Sequence, residues 1–133
     1  NKSSAQTLYS LELLDFVGLV IWIVGFVFES VGDSQLAKFI KNPENKGKLM
    51  QGGLWKYTRH PNYFGEVTMW WGIWIISLSA SAVFWSVISP ITITFLILKV
   101  SGIPMLEKKM EENPEFAEYK KRTSVFVPWF PKT

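Results

Sequence analysis

Between Glu66 and Lys99 the chain runs VTMWWGIWIISLSASAVFWSVISPITITFLIL, residues 67–98, without one Asp, Glu, Lys or Arg. A soluble helix of that length needs a polar face, and here only Ser and Thr offer hydroxyls to make one. The run is longer than the roughly 20 residues that one membrane crossing takes. It divides at SLSASA, residues 77–82, into one expected helix from about Asn62 to Leu78 and another from about Val83 to Ser101. Pro90 is expected to kink the second.

Working outward, the upstream stretch LELLDFVGLVIWIVGFVF, residues 11–28, is a third apolar helix. A membrane span is the better account of it, with a buried soluble helix as the alternative. Glu12 and Asp15 lie near its start, within reach of water. Gly18 and Gly25 are two turns apart and share one face, which permits close helix contact. The polar residues 1–9 form a lead-in at the membrane surface. After Phe28 the chain becomes polar without a break, and Asn42-Pro43 ends that helix. GGLWKYTRHPNYFGE, residues 52–66, is a turn leading into a helix whose first turn accepts Pro61. The tail from Ile103 to Tyr119 is amphipathic and broken near Asn113-Pro114, and VFVPWFP, residues 125–131, is an extended strap.

Charge supports this layout. The 133 residues carry 14 Lys and Arg against 11 Asp and Glu, a net charge of +3 that looks trivial. Yet only Lys2 precedes the first apolar helix, and the other basic residues all fall on one side of a three-span bundle. The positive-inside rule assigns that side to the cytoplasm or its equivalent. The expected fold is therefore all-α: an integral membrane helical bundle of about three transmembrane helices plus an amphipathic C-terminal helix. Residues 1–133 form one membrane domain. With no cysteine and one histidine, disulfides, thiolate zinc sites and multi-histidine metal sites are excluded. The segregated basic charge suits a membrane collar and an anion pocket and makes no case for nucleic acid.

The polar stretches on that side are rich in groups that bind anions or ribose. Arg59 offers a bidentate fork, and the helix starting near Pro61 directs free N–H groups the same way. Asn62 and Glu66 are four residues apart on one face at the membrane boundary. A carboxylate at the mouth of an uncharged span is costly unless paired, which marks it as functional. Tyr63 adds a hydroxyl and a ring, and Glu29 and Asp33 share a helical face. A plainer account stands beside this one. Arg59, His60, Asn62 and Tyr63 could be interfacial anchors, Glu29 and Asp33 a solvated face, and the Lys-Lys-Arg run before Thr123 a lipid-facing basic patch.

GGLWKYTRHPNYFGEVTMWWG, with the tail LEKKMEENPEFAEYKKRTSVFVPWFP, resembles the C-terminal domain of the steroid 5-alpha-reductase-like membrane proteins. The likeness is to the bacterial-type branch long labelled a domain of unknown function, and it runs from about Gly18 onward. The superfamily also holds NADPH-using sterol reductases and S-adenosylmethionine-using isoprenylcysteine or phospholipid methyltransferases. The resemblance implies that Glu29 and Asp33 contact a nicotinamide dinucleotide, with Lys38 or Lys41 as the basic residue that follows. It implies a similar role for Asn62, Tyr63 and Glu66, and for Tyr119 and Arg122 in the tail. Arg59 and His60 belong to the part of the motif shared with the methyltransferases. Those enzymes usually lack the Asn and the closing acid, and carry a Glu-Glu pair where this chain has Leu106-Glu107. The reductase is therefore favoured.

As implied by the resemblance, the protein is a membrane reductase. NADPH in a cytosol-side pocket would pass a hydride to a C=C bond of a lipid or steroid-like substrate entering from the bilayer. An S-adenosylmethionine-dependent lipid or isoprenylcysteine-type methyltransferase is the alternative, and a non-catalytic membrane subunit is the third reading. In the steroid reductases the acid that assists at the carbonyl comes from N-terminal helices. Tyr9, Glu12 and Asp15 are the nearby candidates here, and no catalytic residue is assigned. Three spans do not easily enclose a dinucleotide and a sterol, so further helices or other membrane subunits are expected as partners.

Overall fold

A computed structural model describes residues 2–81 and 84–132, with side chains described for 12–80 and 84–132. The side chain of Tyr9 and residues 82 and 83 lie outside these. α1, Lys2–Lys41, is a single helix of 40 residues, about 60 Å long. It already includes the polar stretch expected to be a lead-in, because nothing between Lys2 and Leu11 breaks a helix. Its end is written in Asn42-Pro43. Asn42 is extended (φ −81°, ψ 116°), and its side chain accepts from Glu44 N at 3.1 Å, as the residue before a proline prefers. Lys38 and Lys41 in the last turn oppose the helix dipole.

α2, Pro61–Ser81, starts at the expected proline and returns antiparallel along α1. Glycines spaced by seven make the contact: Gly18, Gly25 and Gly32 on α1, Gly65 and Gly72 on α2. A Cβ at Gly25 would lie 2.5 Å from the carbonyl oxygen of Gly65, and one at Gly72 would lie 2.7 Å from that of Gly18. The shared face expected for Gly18 and Gly25 is this one. Backbone meets backbone, as in small-residue membrane packing.

The next segment is irregular. A 3-10 turn at Phe84–Val87 leads into α3, Ile88–Phe95, and a wide π turn at Leu96–Val100. Pro90 sits in the first turn of α3, where its missing N–H costs nothing, so it marks the switch into the helix instead of kinking a longer one. Trp71 Nε1 donates to Thr94 Oγ1 at 2.9 Å and Trp74 Nε1 to Ser86 Oγ at 3.0 Å, which ties α2 to this segment. Gly102 then lets the chain turn against Ile97 into α4, Ile103–Met110. The break at Asn113-Pro114 precedes α5, Phe116–Arg122.

Burial is the reverse of a soluble protein's. Phe16, Ile23, Phe26, Trp85, Ile88 and Phe95 are exposed, while most of the buried side chains gather at one end around Trp55, Thr58, Arg59, His60, Phe116 and Tyr119. Apolar side chains facing outward along helices need lipid as their solvent. Two segments, Glu12–Lys41 and Phe84–Met110, are long and apolar enough to cross a membrane. α2 is less apolar, carrying Trp70, Trp71 and Trp74, but its 21 residues span about 31 Å. It lies along α1 from Gly72 to Pro61, so it crosses whatever α1 crosses. The molecule is an all-helical membrane bundle.

The strap behaves as expected. Arg59 N donates to Ser124 O at 2.8 Å, Thr58 Oγ1 to Phe126 O at 2.7 Å, and Trp129 N to Tyr57 O at 3.0 Å. The residues just before α2 and the C-terminal residues thus hold each other in extended form. Gly53 (φ 58°) makes the turn that brings Leu54 N onto Gln35 Oε1 at 2.9 Å and lays the Trp55 indole on Gly32 O at 3.0 Å.

Candidate functional site

The expected site residues separate into two groups at the basic end of the α1–α2 pair. The first is buried. Arg59 is 5% exposed and His60 fully enclosed. The Arg59 guanidinium forks onto Glu107, Nε to Oε2 at 2.7 Å and Nη2 to Oε1 at 3.0 Å. Its Nη1 donates to Thr123 O at 2.7 Å and Lys120 O at 3.2 Å, the carbonyls that α5 leaves unpaired at its end. His60 Nε2 sits 2.9 Å from the same Glu107 Oε2, and its ring lies 5.7 Å from that of Tyr63. Among the described residues His60 Nδ1 has no hydrogen-bond partner. Tyr119, 1% exposed, donates its hydroxyl to Trp55 O at 2.6 Å. Burial pushes the Tyr119 phenol above the usual tyrosine range, and the Glu107 charge adds to this against the opposing pull of Arg59.

Glu107 was not among the expected site residues, although it accepts from both motif residues. A signal for it exists in the sequence. Ile103, Glu107 and Met110 fall at i, i+4 and i+7, so this carboxylate sits on the inward face of an amphipathic helix. A buried Arg needs such a partner.

The second group is open. Asn62 Nδ2 donates to Asp33 Oδ1 at 3.2 Å across the α1–α2 seam, and Asn62 Oδ1 accepts from Tyr63 N at 3.0 Å. Glu29, half-buried, lies against Gly65 and feels the charges of Glu66 and Asp33. Four polar side chains from two helices therefore share one face, because Gly25, Gly32 and Gly65 let the helices touch there. Tyr63 stands between the groups, half-buried beside His60.

Five expected residues lie apart. Lys41, exposed, is two turns beyond Asp33 on α1, about 12 Å along the axis, and Lys38 is exposed between them. Arg122 is exposed and donates to Gln51 Oε1 at 3.0 Å. Glu12 and Asp15 belong to the far end of α1: Asp15 accepts from Ser79 Oγ near the end of α2, about 21 Å from Glu29. They are nearby in sequence terms only, since α1 is one uninterrupted helix between them and Glu29.

For a nicotinamide dinucleotide, the open face fits one half of the molecule. Carboxylates accept from ribose hydroxyls, and an Asn amide both donates to and accepts from a carboxamide. The phosphates call for a cation, and Arg59 is already saturated by Glu107 and two carbonyls.

The family described as "Protein of unknown function (DUF1295)" matches residues 1–123. The 3-oxo-5-alpha-steroid 4-dehydrogenase 1 of Rattus norvegicus is 27% identical over 114 residues, 84% of this chain and 40% of the rat protein. A steroid 5-alpha-reductase of Gossypium hirsutum is 36% identical over 55 residues, 41% of this chain and 21% of that protein. A probable O-methyltransferase of Ustilaginoidea virens is 41% identical over 70 residues, 53% of this chain and 24% of that protein. The chain spans 40% of the rat enzyme's length and less of the other two. No solved structure matches.

Proposed function

The chain belongs to the DUF1295 family, a steroid 5-alpha-reductase-like family, and from that premise we propose that it is the cofactor-binding part of a membrane reductase. The reaction is the NADPH-dependent reduction of a C=C bond in a lipid or steroid-like substrate. The observation that carries this reading is the open face, where Asn62 and Asp33 meet across the helix seam beside Glu29 and Glu66. The nicotinamide supplies the hydride when bound, and the protein supplies binding and orientation.

Asp33 and Glu29 hold ribose hydroxyls. Asn62 exchanges its bond to Asp33 for the carboxamide, and Glu66 closes the face on the α2 side. Arg59, His60 and Tyr119 act one layer beneath, through Glu107 and Trp55, by fixing where α2 begins and where the tail lies. Arg122 and Lys41 are outlying cations for the phosphates. The hydrophobic substrate arrives from the bilayer, and further helices complete its enclosure.

The methyltransferase reading keeps one supporting observation. The fungal relative is the more identical of those compared. One titration separates the two. The full chain in detergent is expected to bind NADPH saturably at micromolar levels, and Asn62→Ala to weaken that binding. Thermal protection by S-adenosylmethionine with none from NADPH would reverse the assignment.

A further inference from the structure

The C-terminal strap makes two adjoining hollows, and of their lining the proposed reaction takes only Arg122 for its cofactor. One has a volume of about 410 Å³ and is walled by Lys120, Lys121, Arg122 and Lys132 over Arg59, and none of its lining residues is acidic. Arg59 is neutralised from beneath by Glu107. Lys121 faces Glu118 at 3.7 Å, but both are more than 70% exposed and screened by water. The outer cations therefore keep their positive potential. Lys132 N donates to Arg122 O at 2.9 Å, which closes the hollow on its own chain.

The second hollow, about 470 Å³, is apolar and walled by Phe28, Leu54, Tyr57 and Pro128. Trp129 and Phe130 line both hollows, and they are 67% and 76% exposed. Phe28 fixes the depth. It is the last residue of the uncharged run that begins after Asp15, so the apolar hollow opens where the hydrocarbon layer gives way to headgroups. The basic hollow lies on the far side of the Trp129–Phe130 pair.

We propose that the strap is a seat for an anionic phospholipid, with the phosphate among Lys120, Lys121 and Lys132 and an acyl chain against Phe28 and Leu54. Opposite charge at the headgroup, apolar walls on the chain side and aromatic rings at the boundary are the chemistry of a lipid site. A soluble phosphate ester would satisfy only the basic half. The seat lies outside the open face of Glu29, Asp33, Asn62 and Glu66, and it stands whichever cofactor that face takes.

The test uses the full chain, delipidated in detergent and reloaded with phosphatidylglycerol or phosphatidylcholine, and counts retained lipid by native mass spectrometry. Phosphatidylglycerol is expected to be retained preferentially, and the double variant K121Q/K132Q to lose about tenfold of that preference. Equal retention of the two lipids, unchanged preference in the variant, or displacement by millimolar inorganic phosphate would overturn the proposal. Retention of neither lipid does so as well and leaves the strap to a protein partner. Phosphatidylglycerol with brominated acyl chains supplies an independent arm, since it is expected to quench the fluorescence lost in W129F. Equal quenching in wild type and W129F counts against the seat.

Discussion

One octapeptide, Arg59-His60-Pro61-Asn62-Tyr63-Phe64-Gly65-Glu66, feeds two regions with opposite chemistry. Its first two residues turn inward and are consumed by Glu107, Thr123 O and Lys120 O. Its Asn62 and Glu66 turn outward onto a seam with Glu29 and Asp33 and keep capacity to spare. Pro61 is the divide. It begins α2, so the residues before it follow the strap and those after it follow a helix against α1. The difference teaches that a motif can hold a fold with one half and present chemistry with the other. Interactions that are saturated and buried govern stability. Those that are open and unsaturated govern binding.

That contrast can be broken most severely at Glu107. Glu107→Ala leaves the Arg59 charge buried without its partner, a loss of about 3–5 kcal/mol. Thermal unfolding in detergent should shift far downward, and a shift of only a degree or two would mean that Arg59 finds water. Next comes the seam. Gly25→Leu places side-chain atoms where Gly65 O now sits, at a cost of about 1–3 kcal/mol, and it should weaken cofactor binding too by parting Asp33 from Asn62.

Tyr119→Phe is milder, at about 1 kcal/mol for the lost hydrogen bond. Its signature is in pH. A phenol whose pKa is raised by folding contributes stability that is present below the ordinary tyrosine value of about 10 and is lost as pH climbs through the folded value. Alkaline destabilisation followed by circular dichroism should therefore be less steep in the variant. The smallest effect on stability is expected for Asn62→Ala, under about 0.5 kcal/mol because its bond to Asp33 is exposed. Cofactor affinity should nevertheless fall by at least about tenfold, the worth of one good hydrogen bond. A variant that melts early but binds normally would place Asn62 with the buried group.

Much of this arrangement was legible in the sequence. The start of α2 at Pro61, the end of α1 before Asn42-Pro43, the tail break and the strap all follow from proline chemistry, which acts on adjacent residues. The glycine face of α1 follows from spacing. The direction in which Arg59 points was not legible, because its partner lies 48 residues downstream and no local pattern links them. Glu107 looked like half of an absent pair, when it is the acid on which both Arg59 and His60 close. The partner of Asp15 was also hidden, since Ser79 lies on another helix 64 residues downstream.

The glycines that join α1 and α2 have a mechanical consequence. Gly18 against Gly72, Gly25 against Gly65 and Gly32 against Pro61 are three teeth along one seam. Sliding one helix by a single turn would disengage all three together, so the pair moves as one rod. The Asp15–Ser79 and Asp33–Asn62 contacts are therefore the two ends of one interlocked pair, and neither can shift in register without the glycine contacts between them.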